Sequence, residues 1–193
     1  MSELVTSISK VIQERRSVYP KQFSRERVAD PIIGEMLENA NWAPTHKRTE
    51  PWRFVVFCDE GIEKLANFQA DLYVKNSPEV VDEKKLEKLR KNPLMCSHII
   101  SIGMKRCHAI PEVEEIAAVA AAVQNMQLTA AAHGVGCYWS TGGATFQEGA
   151  KPFFGLDEDD LLMGFLYVGM PVKEALGEGS RKPINDKVRW VTA

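Results

Sequence analysis

A chain of 193 residues, 45% hydrophobic and 26% charged, is sized for one soluble globular domain with a buried core. A net charge of −2 gives no electrostatic basis for binding nucleic acid or an anionic membrane surface. No apolar run approaches the ~18 residues that span a bilayer, and the opening Met-Ser-Glu-Leu-Val lacks the pattern of a secretory signal, so a cytoplasmic protein is expected.

Residues 3 to 14 place Leu4, Val5, Ile8, Val11 and Ile12 on one helical face and lead into Glu14-Arg15-Arg16-Ser17. A second helix begins with Asp30 as a cap and Pro31 at the first helical position, and continues through Ile32, Ile33, Met36, Leu37 and Ala40. The connection that follows is crowded with His46, Lys47, Arg48, Thr49 and Glu50, and then Pro51 gives way to a strand from Trp52 to Phe57. Asp59 can cap a helix carrying Ile62, Leu65, Ala66 and Phe68. A polar helix is predicted from roughly Glu79 to Lys91, with charges of alternating sign that mark a solvated face. His98 to Met104 reads as a strand.

Pro111 opens a long alanine-rich helix, whose small side chains favour close helix packing, and Gly134 suits its left-handed cap. A strand at Cys137 to Ser140, a turn at Thr141-Gly142-Gly143, a short helix around Asp157 to Leu162 and a strand from Gly164 to Gly169 complete the pattern. The tail from about 171 to 193 is polar and expected to wrap over something. No repeat or linker divides the chain, which predicts one domain over 1–193: a sheet covered by helices on both sides.

Four widely spaced cysteines with no Cys-x-x-Cys pair, and no His/carboxylate pair at ligand spacing, argue against a metal site. No Ser-His-Asp or Cys-His order is readable. Arg15-Arg16-Ser17 has the forked cations and hydroxyl that suit a phosphate, although arginines at a helix C-terminus also answer the helix dipole. Gly134-Val135-Gly136-Cys137-Tyr138-Trp139 is no dinucleotide fingerprint: Trp139 stands at the third glycine position, and the segment runs from helix to strand. A loop as polar as His46 to Glu50, held between rigid elements, is where ligand contacts concentrate.

Taken together these segments resemble the nitroreductase family. Pro44-Thr45 and Pro51-Trp52-Arg53-Phe54 match that family's flavin loop, with Arg48 and Glu50 standing where Asn and Gln are usual. Arg15-Arg16-Ser17 matches its opening phosphate motif, Gly134 to Thr141 its Gly-x-Gly-x-x-Trp segment, and Arg181 before Pro183 its basic tail position. The resemblance implies an α+β homodimer with a mixed, mainly antiparallel sheet, two flavins at the interface and a C-terminal arm crossing to the partner, where Trp190 would dock. It further implies FMN as cofactor. Arg15, Arg16, Ser17 and Arg181 would lie at the phosphate, Trp139, Ser140 and Thr141 would line the flavin, and His46, Arg48 and Glu50 would reach over from the second subunit.

The expected activity is electron transfer from NAD(P)H to a nitroaromatic, quinone or similar small-molecule acceptor. No catalytic side chain is named, because hydride moves between rings held in register. The alternative is a flavin-binding relative without nicotinamide turnover, of the dehalogenating, flavin-cleaving or flavin-sequestering kind.

Overall fold

The computed structural model describes residues 2–77, 80–172 and 177–192. Five helices are used below: α1 (Glu3–Glu14), α2 (Asp30–Asn41), α3 (Glu60–Lys75), α4 (Glu83–Lys91) and α5 (Glu112–Ala132). The strands are β1 (Trp52–Cys58), β2 (His98–Met104), β3 (Gly136–Ser140) and β4 (Leu161–Gly169). They form one sheet in the order β1-β2-β4-β3. Every strand pair is antiparallel. Among the described residues the one parallel contact is the isolated bridge between Ser17 and Cys137, so the mixed character of the sheet resides at that edge.

Side chains alternate across the sheet and therefore feed two cores. On one face Ile100, Ile102, Leu166 and Val168 pack with Ile33 and Met36 of α2 and with Val119, Ala122 and Met126 of α5. The alanines act as expected: Ala118, Ala122 and Ala130 are buried where α5 lies on the sheet and α2. On the other face Phe57, Ile99 and Phe165 meet Ile62 and Leu65 of α3 and the 3-10 turn Lys151–Phe154. Truncating a buried residue such as Met126 to alanine costs roughly 2–5 kcal/mol in such a core. Gly164 sits beside a register shift in the ladder, and its φ of 119° belongs to glycine. A Cβ there would overlap Ser140 O.

Several local expectations are corrected. There is no helix around Asp157 to Leu162: β4 already begins at Leu161, and the buried Asp160 carboxylate accepts from the Asp157 and Arg106 amides, both at 2.9 Å. That bond turns the chain before a helix can start. Ala29, not Asp30, is the N-cap of α2, and the Asp30 carboxylate instead receives Arg27. Asp59 precedes α3 without a capping bond, because its carboxylate is also taken by Arg27. The polar helix starts at Glu83 under Asp82, which accepts from Lys84 N at 2.9 Å and Lys85 N at 3.2 Å, while Glu79 lies outside the described residues. The apolar face of α1 is not core: Leu4, Val5, Ile8 and Ile12 are all exposed. No helix among the described residues is long and apolar enough to cross a membrane.

Candidate functional site

After α1 the backbone becomes extended at Arg15, and the Val18 amide donates to Cys137 O at 3.0 Å, hanging the Arg-Arg-Ser segment on the free edge of β3. This places Arg15 and Arg16 at a cavity of about 460 Å³ whose wall also includes Arg181 from the tail and Gln124 from α5. Among the described residues no carboxylate lines it. The Arg16 guanidinium donates to Gln13 O and Arg15 O, yet its Nε is buried with no partner among the described residues. Three cations around one cavity repel each other unless an anion enters, and an unpaired guanidinium N–H adds a cost that an oxyanion would remove.

Beside this edge a second cleft of about 380 Å³ opens on the α3 side of the sheet. Tyr138 and Ser140 of β3 face it, with Tyr167 of β4 and Tyr19 from the segment after Ser17. The Tyr19 and Tyr138 rings lie 4.6 Å apart and the Tyr138 and Tyr167 rings 6.2 Å apart, forming an aromatic wall. Burial pushes the Tyr167 phenol well above its ordinary range, so it stays neutral. The opposite bank is α4: Lys85, Lys88, Leu89 and Asn92 recur at i, i+3, i+4 and i+7 and share one face. That face is still solvated: Lys85, Lys88 and Asn92 are exposed, and only Leu89 is partly covered. The end of the cleft is closed by Gln69 of α3 and Gly143.

Strand alternation separates the predicted trio. Trp139 points to the α5 side and donates from Nε1 to Met163 O at 3.1 Å. It lines, with Thr141, a largely apolar cavity of about 590 Å³ bounded by Ile116, Phe146 and Met163. Ser140 lies in the tyrosine cleft, its Oγ accepting from Gly142 N at 3.1 Å.

The loop before β1 is a short 3-10 turn, His46–Arg48, pinned by the Thr45–Thr49 hydroxyl pair at 3.0 Å and by His46 Nδ1 against Glu114 of α5. Lys47, Arg48 and Glu50 all have positive φ, at 51°, 55° and 44°. Such conformations are costly for residues with a Cβ and concentrate at functional loops. Among the described residues the Lys47, Arg48 and Glu50 side chains have no ion-pair partner, and Arg53 donates to Glu50 O at 2.9 Å rather than to its carboxylate. This loop enters β1 while the arginines hang on β3, at opposite edges of the sheet. Three strand spacings, ~14 Å, separate those edges. In one chain these two candidate segments stay apart.

The model of the family described as Nitroreductase matches residues 12–170. The chain belongs to the nitroreductase family. A Bacillus subtilis relative that carries the provisional name NAD(P)H nitroreductase YfhC is 31% identical over 180 residues, covering 92% of this chain and 90% of that protein. A nitroreductase-like protein from Bacillus cereus has the same fold, with a TM-score of 0.82, 29% identity and 96% of each chain covered. A nitroreductase-like structure from Desulfovibrio desulfuricans, solved with FMN, superimposes with a TM-score of 0.71 at 24% identity, covering 96% of this chain and 97% of that one.

In this nitroreductase chain the structure gathers Arg15, Arg16 and Arg181, and separately joins Ser140 to Tyr19, Tyr138, Tyr167 and Gln69. Sequence reasoning missed the tyrosines, Gln69 and the α4 face. For α4 the signal was present in the spacing of Lys85, Lys88, Leu89 and Asn92; for Gln69 there was none. No group of three or more His, Cys, Asp or Glu among the described residues is placed to hold a metal.

Proposed function

We propose that the protein is an FMN-dependent oxidoreductase that takes electrons from NADH or NADPH and passes them to a nitroaromatic, quinone or similar electrophile. The observation that carries this reading is the cavity shared by Arg15, Arg16 and Arg181, lined by no carboxylate among the described residues and set at the same β3 edge of the sheet as a tyrosine-walled cleft. The residues present fit the cofactor. A dianionic phosphate answers three guanidiniums and the orphaned Arg16 Nε, and an aromatic wall suits a planar ring.

FMN, when bound, supplies the two-electron chemistry itself. Arg15, Arg16 and Arg181 hold its phosphate, with Ser17 as a hydroxyl donor. Ser140 and the turn after it border the ring. Trp139 anchors that strand from behind through Met163, and Thr141 extends the border toward the apolar cavity. No side chain is assigned as acid or base.

The assembly we propose is a homodimer of single-domain chains in which Arg181 stays at its own chain's arginine cavity and the end of the tail around Trp190 reaches the partner. Its support is the division of the site between two sheet edges, the uncovered Leu4, Val5, Ile8 and Ile12 of α1, and Trp190, which is 85% exposed in the single chain. In the dimer His46, Arg48 and Glu50 of one copy close over the flavin of the other, and Lys47 and Arg48 offset the charge gained on reduction. Four free thiols suit a reducing cytoplasm.

The absorbance spectrum of the purified protein, with the released cofactor identified, tests the flavin. Steady-state NAD(P)H oxidation with added quinone tests turnover and separates an oxidoreductase from a protein that only holds FMN. A colourless protein that takes up no added flavin defeats the proposal.

A further inference from the structure

In the tail, Gly179 lies directly against Arg16. A Cβ on Gly179 would overlap Arg16 Nη2, Cζ and Nε. Cζ, the centre of that group, is nearer than Nε, so the tail backbone meets the flat face of the guanidinium and not its edge. The N–H donors of a guanidinium radiate in its plane. A backbone on the face therefore engages none of them. Nη1 donates to Gln13 O and Arg15 O, outside the tail, and Nε is buried with no partner among the described residues. Gly179 and Arg181 both line the arginine cavity, and Arg181 turns its own Nη1 back onto Ser180 O at 2.7 Å. Burying an unpaired donor costs free energy, and an oxyanion arriving in the guanidinium plane removes that cost.

We infer that Gly179 is a positioning residue for the phosphate site: its bare backbone rests on the Arg16 guanidinium and fixes the plane in which Nε–H meets the anion. This deepens the FMN reading above and rests on it. The φ of Gly179 lies outside the left-handed region, so glycine supplies room here and not backbone freedom. A side chain at 179 would have to stand where the guanidinium stands. That guanidinium is the free end of a flexible side chain, so it yields before the fold does. Gly179 itself is exposed and belongs to neither core. Its influence is confined to the phosphate: riboflavin, which shares the ring and ribityl chain but lacks the phosphate, gains nothing from Arg16.

The test titrates apo-protein with FMN and with riboflavin, read by flavin fluorescence, for wild type, Gly179→Ala, Arg16→Ala and the double variant. Apo melting temperature is recorded for each. Wild type is expected to bind FMN more tightly than riboflavin. Gly179→Ala is expected to weaken FMN binding about tenfold, to leave riboflavin affinity unchanged and to melt with wild type. The double variant is expected to bind FMN no more weakly than Arg16→Ala alone, since the glycine acts through that side chain. Equal losses for the two flavins, unchanged FMN affinity in Gly179→Ala, losses that add in the double variant, or a lower melting temperature overturns the assignment. Wild type that binds riboflavin as tightly as FMN overturns it too. Wild type that binds neither flavin instead strikes the FMN reading itself, and the inference falls with it.

Discussion

Ser17 and Cys137 form a one-residue parallel bridge at the free edge of β3. Through it the segment that leaves α1 becomes part of the sheet, and the cations on either side of the bridge gain a fixed position. Cys137 itself is buried, and burial pushes its thiol up to about 12, so it serves as packing and not as a nucleophile.

The first expectation concerns those cations. Arg15→Ala and Arg16→Ala each remove a charge-assisted phosphate contact worth about 1.5–3 kcal/mol, which weakens FMN binding roughly tenfold or more. Neither guanidinium is part of the core, so the variants stay folded. Flavin titration of the two apo-proteins checks this, and wild-type affinity in both counts against a phosphate site.

Assembly is tested on α1. Ile8→Glu places a charge in the middle of the exposed apolar face formed with Leu4, Val5 and Ile12. Without an interface the change is nearly silent. With one, sedimentation velocity shows a shift from dimer to monomer, and flavin is lost in parallel because its site is split between chains.

Glu50 is the departure from the family loop. A carboxylate near the ring disfavours the extra electron density of reduced flavin, so Glu50→Gln raises the flavin midpoint potential. Spectroelectrochemistry measures it, and a lower potential in the variant places Glu50 away from the ring.

Acid sensitivity centres on His98. Desolvation holds this imidazole below its ordinary 6.5, against the opposing pull of its bond to Asp30. Ser97 Oγ accepts from Val28 N at 2.8 Å, so its proton is assigned to His98 Nδ1 at 2.9 Å, leaving Nε2–H to donate to Asp30 at 3.2 Å. That network needs neutral imidazole. Below ~6.5 the unfolded chain binds the proton more readily, so stability is full above that pH and falls as pH drops toward the folded value. The slope is at most ~1.4 kcal/mol per pH unit for one proton. Thermal melts from pH 8 to 5 should show His98→Gln flatter than wild type, though less stable at pH 8.

Arg106 and Glu115 pair beneath the loop that follows β2, where Glu115 is fully buried and its Oε1 also accepts from Cys107 N at 2.8 Å. Removing one member leaves an unpaired buried charge. Glu115→Ala therefore costs about 3–5 kcal/mol and lowers Tm on the order of 10 °C. A shift within ~2 °C shows that water already reaches the pair.

Local pattern was sufficient wherever neighbouring residues decide the outcome. The strand Trp52–Cys58 follows from its aromatic and β-branched run, His98–Met104 also reads as a strand, the helix Glu3–Glu14 follows from helical spacing, Glu112–Ala132 from its alanines, and the cap at Gly134 from its freedom at positive φ. The arginine pair, the His46 to Glu50 loop and the Gly-x-Gly-x-x-Trp segment were visible as types of residue in an order, and that order identified the family. Asp157 to Leu162 misled because its helical spacing competes with a side-chain bond from Asp160 to residues that include the distant Arg106.

What the residues alone determined, then, is the set of chemical groups and the elements that carry them. Only the tertiary structure could decide which groups meet. Arg181 joins Arg15 because the tail folds back, Ser140 parts from Trp139 because strand neighbours face opposite ways, and Gln69 becomes an orphan because Gly143 lies across it. Backbone preferences act over a few residues and are written in local sequence. Burial, charge convergence and unpaired polar atoms depend on segments far apart in the chain, and come into being only when the sheet brings those segments together.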